Sequence, residues 1–201
     1  MRSVSVGAGL LLCAGLLAAQ DQIQQERAQK AADLLAAQAR KLTDLPVKVD
    51  VDTEKVFGLK KGDRAALAIP AKGLNADRID KASTDVLPVG QLWLRGLVPV
   101  VSGTAAAAEK LRVVKVESKG EEHTLSLLLL GVRKGAKDKL ELVVYAKAKE
   151  PLAVVPLEAG TKTTEQPIEL EGKKGDGDTG VLVLHILGKH QARLHLAGQT
   201  P

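Results

Sequence analysis

The sequence predicts a mainly β fold, an antiparallel β-sandwich preceded by one N-terminal α-helix. The hydrophobic period changes from 3.6 to 2 after Pro46, which marks the change from helix to strands. Short apolar runs then recur at regular intervals between turn residues, as in sandwiches. Long helical segments do not separate these runs, which argues against parallel α/β units.

The first nineteen residues are predicted to be a secretory signal peptide. Arg2 supplies a positive charge, residues 4–17 are almost wholly apolar, and Ala18 and Ala19 offer small side chains at a cleavage point. The apolar run is shorter than the ~20 residues that a transmembrane helix needs. We therefore expect an exported protein, periplasmic or secreted, with no membrane span.

A lipid anchor on Cys13 is the alternative that this segment leaves open. It is disfavoured because Leu12 is bulky where a lipoprotein signal has a small residue, and because the apolar run resumes at Ala14. Cleavage near Ala19 removes the only cysteine, so the mature chain is expected to lack disulfides.

Residues 20–45 are assigned to the N-terminal helix, with the clearest pattern from Gln22 to Leu42. The predicted apolar face consists of Ala31, Leu34, Leu35, Gln38 and Leu42, and Pro46 ends the segment. A helix packed on the domain edge, or a frayed stalk between signal and domain, is favoured over a partner-binding or coiled-coil segment. The reason is that the apolar stripe spans too few heptads for a coiled coil.

Residues 46–201 are assigned to the sandwich, of immunoglobulin-like or related type with about nine or ten short strands. Val47, Val49 and Val51 alternate with polar residues, and Asn75 is placed to cap a short helix within residues 75–82. The other predicted strands are 64–69, 90–101, 111–117, 123–132, 140–149, 151–157, 168–171, 180–187 and 191–197. The polar residues 118–121 predict a hairpin turn.

The C-terminal hairpin is predicted in most detail. A loop of Gly188, Lys189 and His190 would place Leu187 opposite Gln191. One face then carries Leu182, Leu184, Ile186, Ala192, Leu194 and Leu196. His185, Arg193 and His195 fall on the opposite face.

Composition argues against several classes of ligand. Phe57, Trp93 and Tyr145 are the only aromatic residues, whereas sugar-binding faces and single-stranded nucleic-acid platforms stack their ligands on several rings. The net charge of +5 comes from lysines scattered among acids rather than gathered into a stripe. We therefore expect no nucleic-acid partner.

His185 and His195 are the candidate metal ligands, since neutral imidazoles on adjacent strands can chelate zinc or copper. Arg193 lies between them in the predicted register, and a guanidinium beside a dication is unfavourable. Asp50, Asp52 and Glu54 share a predicted strand face, which is more typical of a solvated edge than of a metal or acid–base site.

Residues 175–180 match G-x-G-x-x-G, but a strand follows where a dinucleotide site needs a helix. Asp176 and Asp178 are candidate calcium ligands in this loop. A calcium loop of EF-hand type needs a glutamate at its twelfth position, where Leu187 stands. A flexible hairpin loop is the favoured interpretation.

The chain contains no motif of a known nucleophile or metalloprotease. We therefore expect an exported, non-enzymatic β-sandwich that acts as a binding, adaptor or structural module of the bacterial periplasm or cell envelope. No cofactor is expected, and the partner would be a protein or a component of the envelope. The alternative is a metal-binding protein or metal-dependent enzyme that uses His185 and His195 with a carboxylate.

Overall fold

The computed structural model describes residues 21–118, 120–175 and 179–199, and it confirms a mainly β fold. These residues form two helices, α1 (Gln25–Arg40) and α2 (Ala76–Asp80), and fourteen strands. In chain order the strands are β1 (Asp21–Gln22), β2 (Phe57–Lys61), β3 (Arg64–Pro70), β4 (Leu87–Arg95), β5 (Leu97–Val101), β6 (Thr104–Ala105), β7 (Arg112–Ser118), β8 (Glu121–Lys134), β9 (Leu140–Tyr145), β10 (Ala153–Pro156), β11 (Glu158–Ala159), β12 (Ile168–Lys174), β13 (Thr179–Ile186) and β14 (His190–Gly198).

The strands form two antiparallel sheets that pack face to face. Sheet 1 has the order β1-β2-β3-β4-β8-β9-β10, and β7 also pairs with β8. Sheet 2 has the order β12-β13-β14-β5-β6, and β11 also pairs with β14. The predicted β-sandwich with one N-terminal helix agrees with this arrangement.

The main core lies between the two sheets. Sheet 2 contributes the six even-numbered side chains that the hairpin pattern predicted: Leu182, Leu184, Ile186, Ala192, Leu194 and Leu196. Sheet 1 contributes Leu128, Leu130 and Val132 from β8, all fully buried. This layer consists almost entirely of aliphatic side chains, whose burial is the main favourable term in folding.

A second core lies on the outer face of sheet 1, beneath α1. The buried side chains of the helix are Ala28, Ala32, Leu35, Ala36 and Ala39. They face Trp93, which is 1% exposed, among other side chains of the sheet. The helix is thus packed on the domain, as the sequence favoured, but it covers the face of sheet 1 rather than the predicted domain edge.

The predicted bounds and apolar face of this helix are both partly wrong. Asp21 and Gln22 pair with β2 as a short strand, so the helix begins only at Gln25. Leu35 is the one predicted face residue that is buried, and the other buried positions of the helix are alanines. Ala31 and Leu34 pack at the side of this contact.

The segment after the helix is extended but does not form the predicted strand. Val51 makes a single antiparallel bridge with Ala71, and the backbone N–H of Asp52 donates to the carbonyl of Pro70 at 2.9 Å. Val51 is buried and Asp50 is exposed, so the predicted alternation of burial is correct at these positions although a regular ladder is missing.

Arg112 joins this segment to sheet 1. The strands β7 and β9 pair with the same edge of β8, and Arg112 lies where β9 ends and β7 begins. Its guanidinium is largely buried and donates to both carboxylate oxygens of Asp44, at 3.0 and 3.1 Å, and to the carbonyl of Ala146. The hydrogen bonds from Arg112 hold the pKa of the Asp44 carboxyl below its usual range.

Two local predictions are confirmed. Asn75 caps α2, because its side-chain oxygen accepts a hydrogen bond from the backbone N–H of Arg78 at 3.0 Å. Ser118 pairs with Glu121 across the β7–β8 turn, and Gly120 supplies the positive φ of +80° that a tight hairpin needs. Neither described helix is long and apolar enough to cross a bilayer.

Candidate functional site

The β13–β14 hairpin turns one residue earlier than predicted, so its register differs by two. Ile186 pairs with His190, and the backbone N–H of Lys189 donates to the carbonyl of Ile186 at 3.2 Å. Leu187 and Gly188 both have positive φ, 54° and 67°, as in a type I′ turn. The predicted loop of Gly188 to His190 is therefore wrong, although a shift of two residues leaves every side chain on its predicted face.

This register separates His185 from His195. His185 lies opposite Gln191 and His195 opposite Val181, an offset of four residues or about 13 Å along the strands. The two imidazoles therefore cannot hold one ion. Among the described residues, no group of three or more histidine, cysteine, aspartate or glutamate side chains is placed to bind a metal.

His185 is instead bonded within the sheet. Its Nε2 lies 2.9 Å from Oε2 of Glu171, while its Nδ1 is buried without a partner among the described residues. A buried lone pair costs less than a buried unsatisfied N–H, so the proton belongs on Nε2 and donates to Glu171. The hydrogen bond from His185 lowers the pKa of Glu171, and Lys173 lowers it further.

The other candidate carboxylates do not converge. Asp50 is exposed, Asp52 pairs with Lys55 at 3.4 Å, and Glu54 lies in a 3-10 turn. Asp176 and Asp178 lie outside the described residues.

Glu169 is the most enclosed carboxylate of sheet 2, at 7% exposure. Its Oε1 accepts backbone N–H groups of Glu165 at 2.7 Å and Gln166 at 3.3 Å, and its Oε2 lies 3.2 Å from Nζ of Lys162. Burial raises the pKa of Glu169, but these three donors outweigh burial, and the pKa lies below its usual range. The arrangement pins the loop before β12 to the sheet.

A pocket of about 660 Å³ opens at one corner of the sandwich, where the chain crosses from β10 of sheet 1 to β11 of sheet 2. We call it the corner pocket. Its apolar lining residues are Leu140, Pro156, Leu157 and Ala159. Its polar lining residues are Lys139, Glu158, Lys189 and His190.

Backbone hydrogen bonds hold both sides of this pocket. The N–H of Leu157 donates to the carbonyl of Leu140 at 3.0 Å, which ties the crossing segment to sheet 1. The N–H of Gly160 donates to the carbonyl of Lys189 at 2.7 Å, which ties it to sheet 2. The pocket is therefore built on strands that belong to the two sheets rather than on a free loop.

The pocket carries two ammonium groups that lack carboxylate partners. In the part of the chain that the structure describes, neither Lys139 nor Lys189 lies within 4.0 Å of a carboxylate oxygen. Glu158, by contrast, is paired with Arg193.

His190 contributes a neutral ring. Burial lowers its pKa below 6.5 and outweighs the opposing charge of Asp80, and the charge of Lys189 lowers the pKa a little further. Its Nε2 is buried with no described partner, so the same reasoning as for His185 puts the proton on Nδ1. Two lysines and one glutamate thus leave the lining with a charge of about +1 at neutral pH.

Comparison of the chain with protein-family models, with curated proteins and with solved structures found no match.

We predict that Glu169 contributes to stability above pH ~4.3, the usual pKa of a glutamate in an unfolded chain. Because its pKa is lower in the folded protein, this contribution is lost as the pH falls through that lower value. The free energy of unfolding, measured by urea titration between pH 6 and pH 3, should fall less steeply in Glu169→Gln than in wild type. Glu109→Gln, at an exposed 3-10 turn, is the control and should keep the wild-type slope. Equal slopes in wild type and Glu169→Gln would refute this role.

Proposed function

We propose that the chain is an exported, non-enzymatic binding module of the bacterial periplasm or cell envelope, and that it binds through the corner pocket. The observation that carries the proposal is the pocket itself, with unpaired lysines beside an apolar wall. Its volume of about 660 Å³ lies within the range of ligand pockets in proteins.

The placement of the titratable groups favours binding over catalysis. The imidazole of His185 is hydrogen-bonded to the carboxylate of Glu171, and the carboxylate of Glu158 is paired with the guanidinium of Arg193. His190 lies in the pocket, but Glu158 is the one carboxylate among the described lining residues, and the lining contains no serine, threonine or cysteine. Such a lining can hold a ligand by charge and apolar contact, and no described hydrogen bond or ion pair joins two of its side chains as a nucleophile and its base.

The export part of the proposal rests on the pattern of residues 1–19. We predict that the protein recovered from the envelope fraction of a bacterial host begins at Gln20, because Ala18 and Ala19 form the cleavage point. Intact-mass spectrometry measures this directly. A mature chain that begins with an acylated Cys13, or an uncleaved chain retained in the cytoplasm, would contradict it.

The binding part is tested by filling the pocket. Ala159 is exposed on β11 and lines the corner pocket, so Ala159→Trp should occupy the space without disturbing the core. Ala105 is an exposed alanine on the two-residue strand β6 of the same sheet, and Ala105→Trp is the matched control. Each purified protein is incubated with envelope extract, washed and denatured, and the released small molecules are identified by mass spectrometry.

We expect wild type and Ala105→Trp to release a common compound that Ala159→Trp releases at least tenfold less. Circular dichroism checks that the three proteins are equally folded. If all three release the same compounds in equal amounts, or if none releases any, the corner pocket is not the binding site and the proposal fails.

A further inference from the structure

We infer that the ligand of the corner pocket is an aliphatic monocarboxylate, an anion with one carboxylate group and a saturated hydrocarbon tail. The inference rests on the proposed function, since it names the chemical class that the proposed site would take.

The negative charge of the ligand follows from the lysines. Lys139 directly precedes β9 of sheet 1, and Lys189 lies in the β13–β14 turn of sheet 2. Two cations from different sheets therefore line one opening, and neither is neutralised by a described carboxylate. An anion placed between them would gain attraction from both, while a cation would be repelled.

The single charge follows from Glu158. This carboxylate lines the same pocket and is paired with Arg193. With a neutral His190, the lining carries a charge of about +1 at neutral pH, which complements a monoanion. A phosphate monoester carries about −1.5 to −2 at this pH and would be repelled more strongly by Glu158.

The saturated hydrocarbon tail of the ligand is inferred from the aliphatic side chains that line the pocket. Leu140, Pro156, Leu157 and Ala159 are all aliphatic. The three aromatic side chains of the protein, Phe57, Trp93 and Tyr145, are each at most 8% exposed and belong to the cores. The pocket therefore offers mainly aliphatic contact, and the His190 imidazole is the one ring among its described lining residues.

The probes are octanoate, octanol, octylamine and octyl phosphate, which share one tail and differ in the head group. Binding to the purified protein is measured by isothermal titration calorimetry at pH 7.5 and low salt. We expect octanoate to saturate one site and to bind at least tenfold more tightly than the other three. Butanoate and hexanoate should bind more weakly than octanoate, by about three- to fourfold for each buried methylene that is lost.

Charge variants identify the site. Lys139→Gln and Lys189→Gln should each weaken octanoate binding about five- to tenfold, as expected for a partly screened ion pair. Lys60→Gln is the matched control, since it removes one exposed lysine from β2, near the opposite edge of sheet 1, and should leave the affinity unchanged. Glu158→Gln should reduce the preference for octanoate over octyl phosphate.

The outcomes separate the ligand class from the function. If octanol or octylamine binds as tightly as octanoate, or octyl phosphate binds more tightly, the carboxylate is wrong although the pocket is a binding site. If octanoate binds equally to the Lys60, Lys139 and Lys189 variants, the inferred site is wrong. If no probe binds, but wild type still captures a compound from envelope extract that Ala159→Trp does not capture, this inference fails and the proposed function stands. If no probe binds and Ala159→Trp loses nothing, both fail.

Discussion

The close packing of α1 on the outer face of sheet 1 is the contact on which the rest of the architecture depends. Ala28, Ala32, Ala36 and Ala39 give the helix a buried face of small side chains, and Trp93 belongs to the same buried cluster. A protein with three aromatic side chains has few large groups that could fill a gap between a helix and a sheet. Small side chains on α1 therefore keep the packing against the larger side chains of sheet 1 close. Arg112 then fixes the segment after the helix through Asp44.

This contact decides which surfaces remain for function. Sheet 1 is buried on both faces, which is why Leu127, Leu128, Leu129 and Leu130 on β8 are all fully buried although successive side chains point in opposite directions. The outer face of sheet 2 carries polar pairs of its own, among them the hydrogen bond between His185 and Glu171 and the ion pair between Lys173 and Glu171. The corner pocket differs because two lysines without such partners line one opening beside apolar side chains.

Local patterns predicted the parts of the fold that depend on neighbours in sequence. The period of two placed Leu182 and Leu194 on the buried face, and Asn75 revealed a helix cap. The face of α1 was misjudged because leucines were expected to be its buried residues. The helix instead packs on the sheet mainly through alanines, whose small side chains allow a close approach. The hairpin register was misjudged because Leu187 adopts a positive φ that its sequence does not favour.

The corner pocket could not be predicted, since it arises where β10 and β11 join different sheets, and no local pattern encodes that crossing. Lys139 and Lys189 are 50 positions apart and look like any other surface lysines.

The most direct test of this account compares two identical substitutions on one helix. Ala32 is fully buried against sheet 1, and Ala37 is exposed on the opposite side of α1. Urea unfolding is followed by the fluorescence of Trp93, the only tryptophan. Ala32→Leu should lower the free energy of unfolding by about 1–3 kcal/mol, as overpacking of a close contact does. Ala37→Leu should change it by less than about 0.5 kcal/mol. Equal effects of the two substitutions would show that α1 does not pack on the sheet, and would contradict the account.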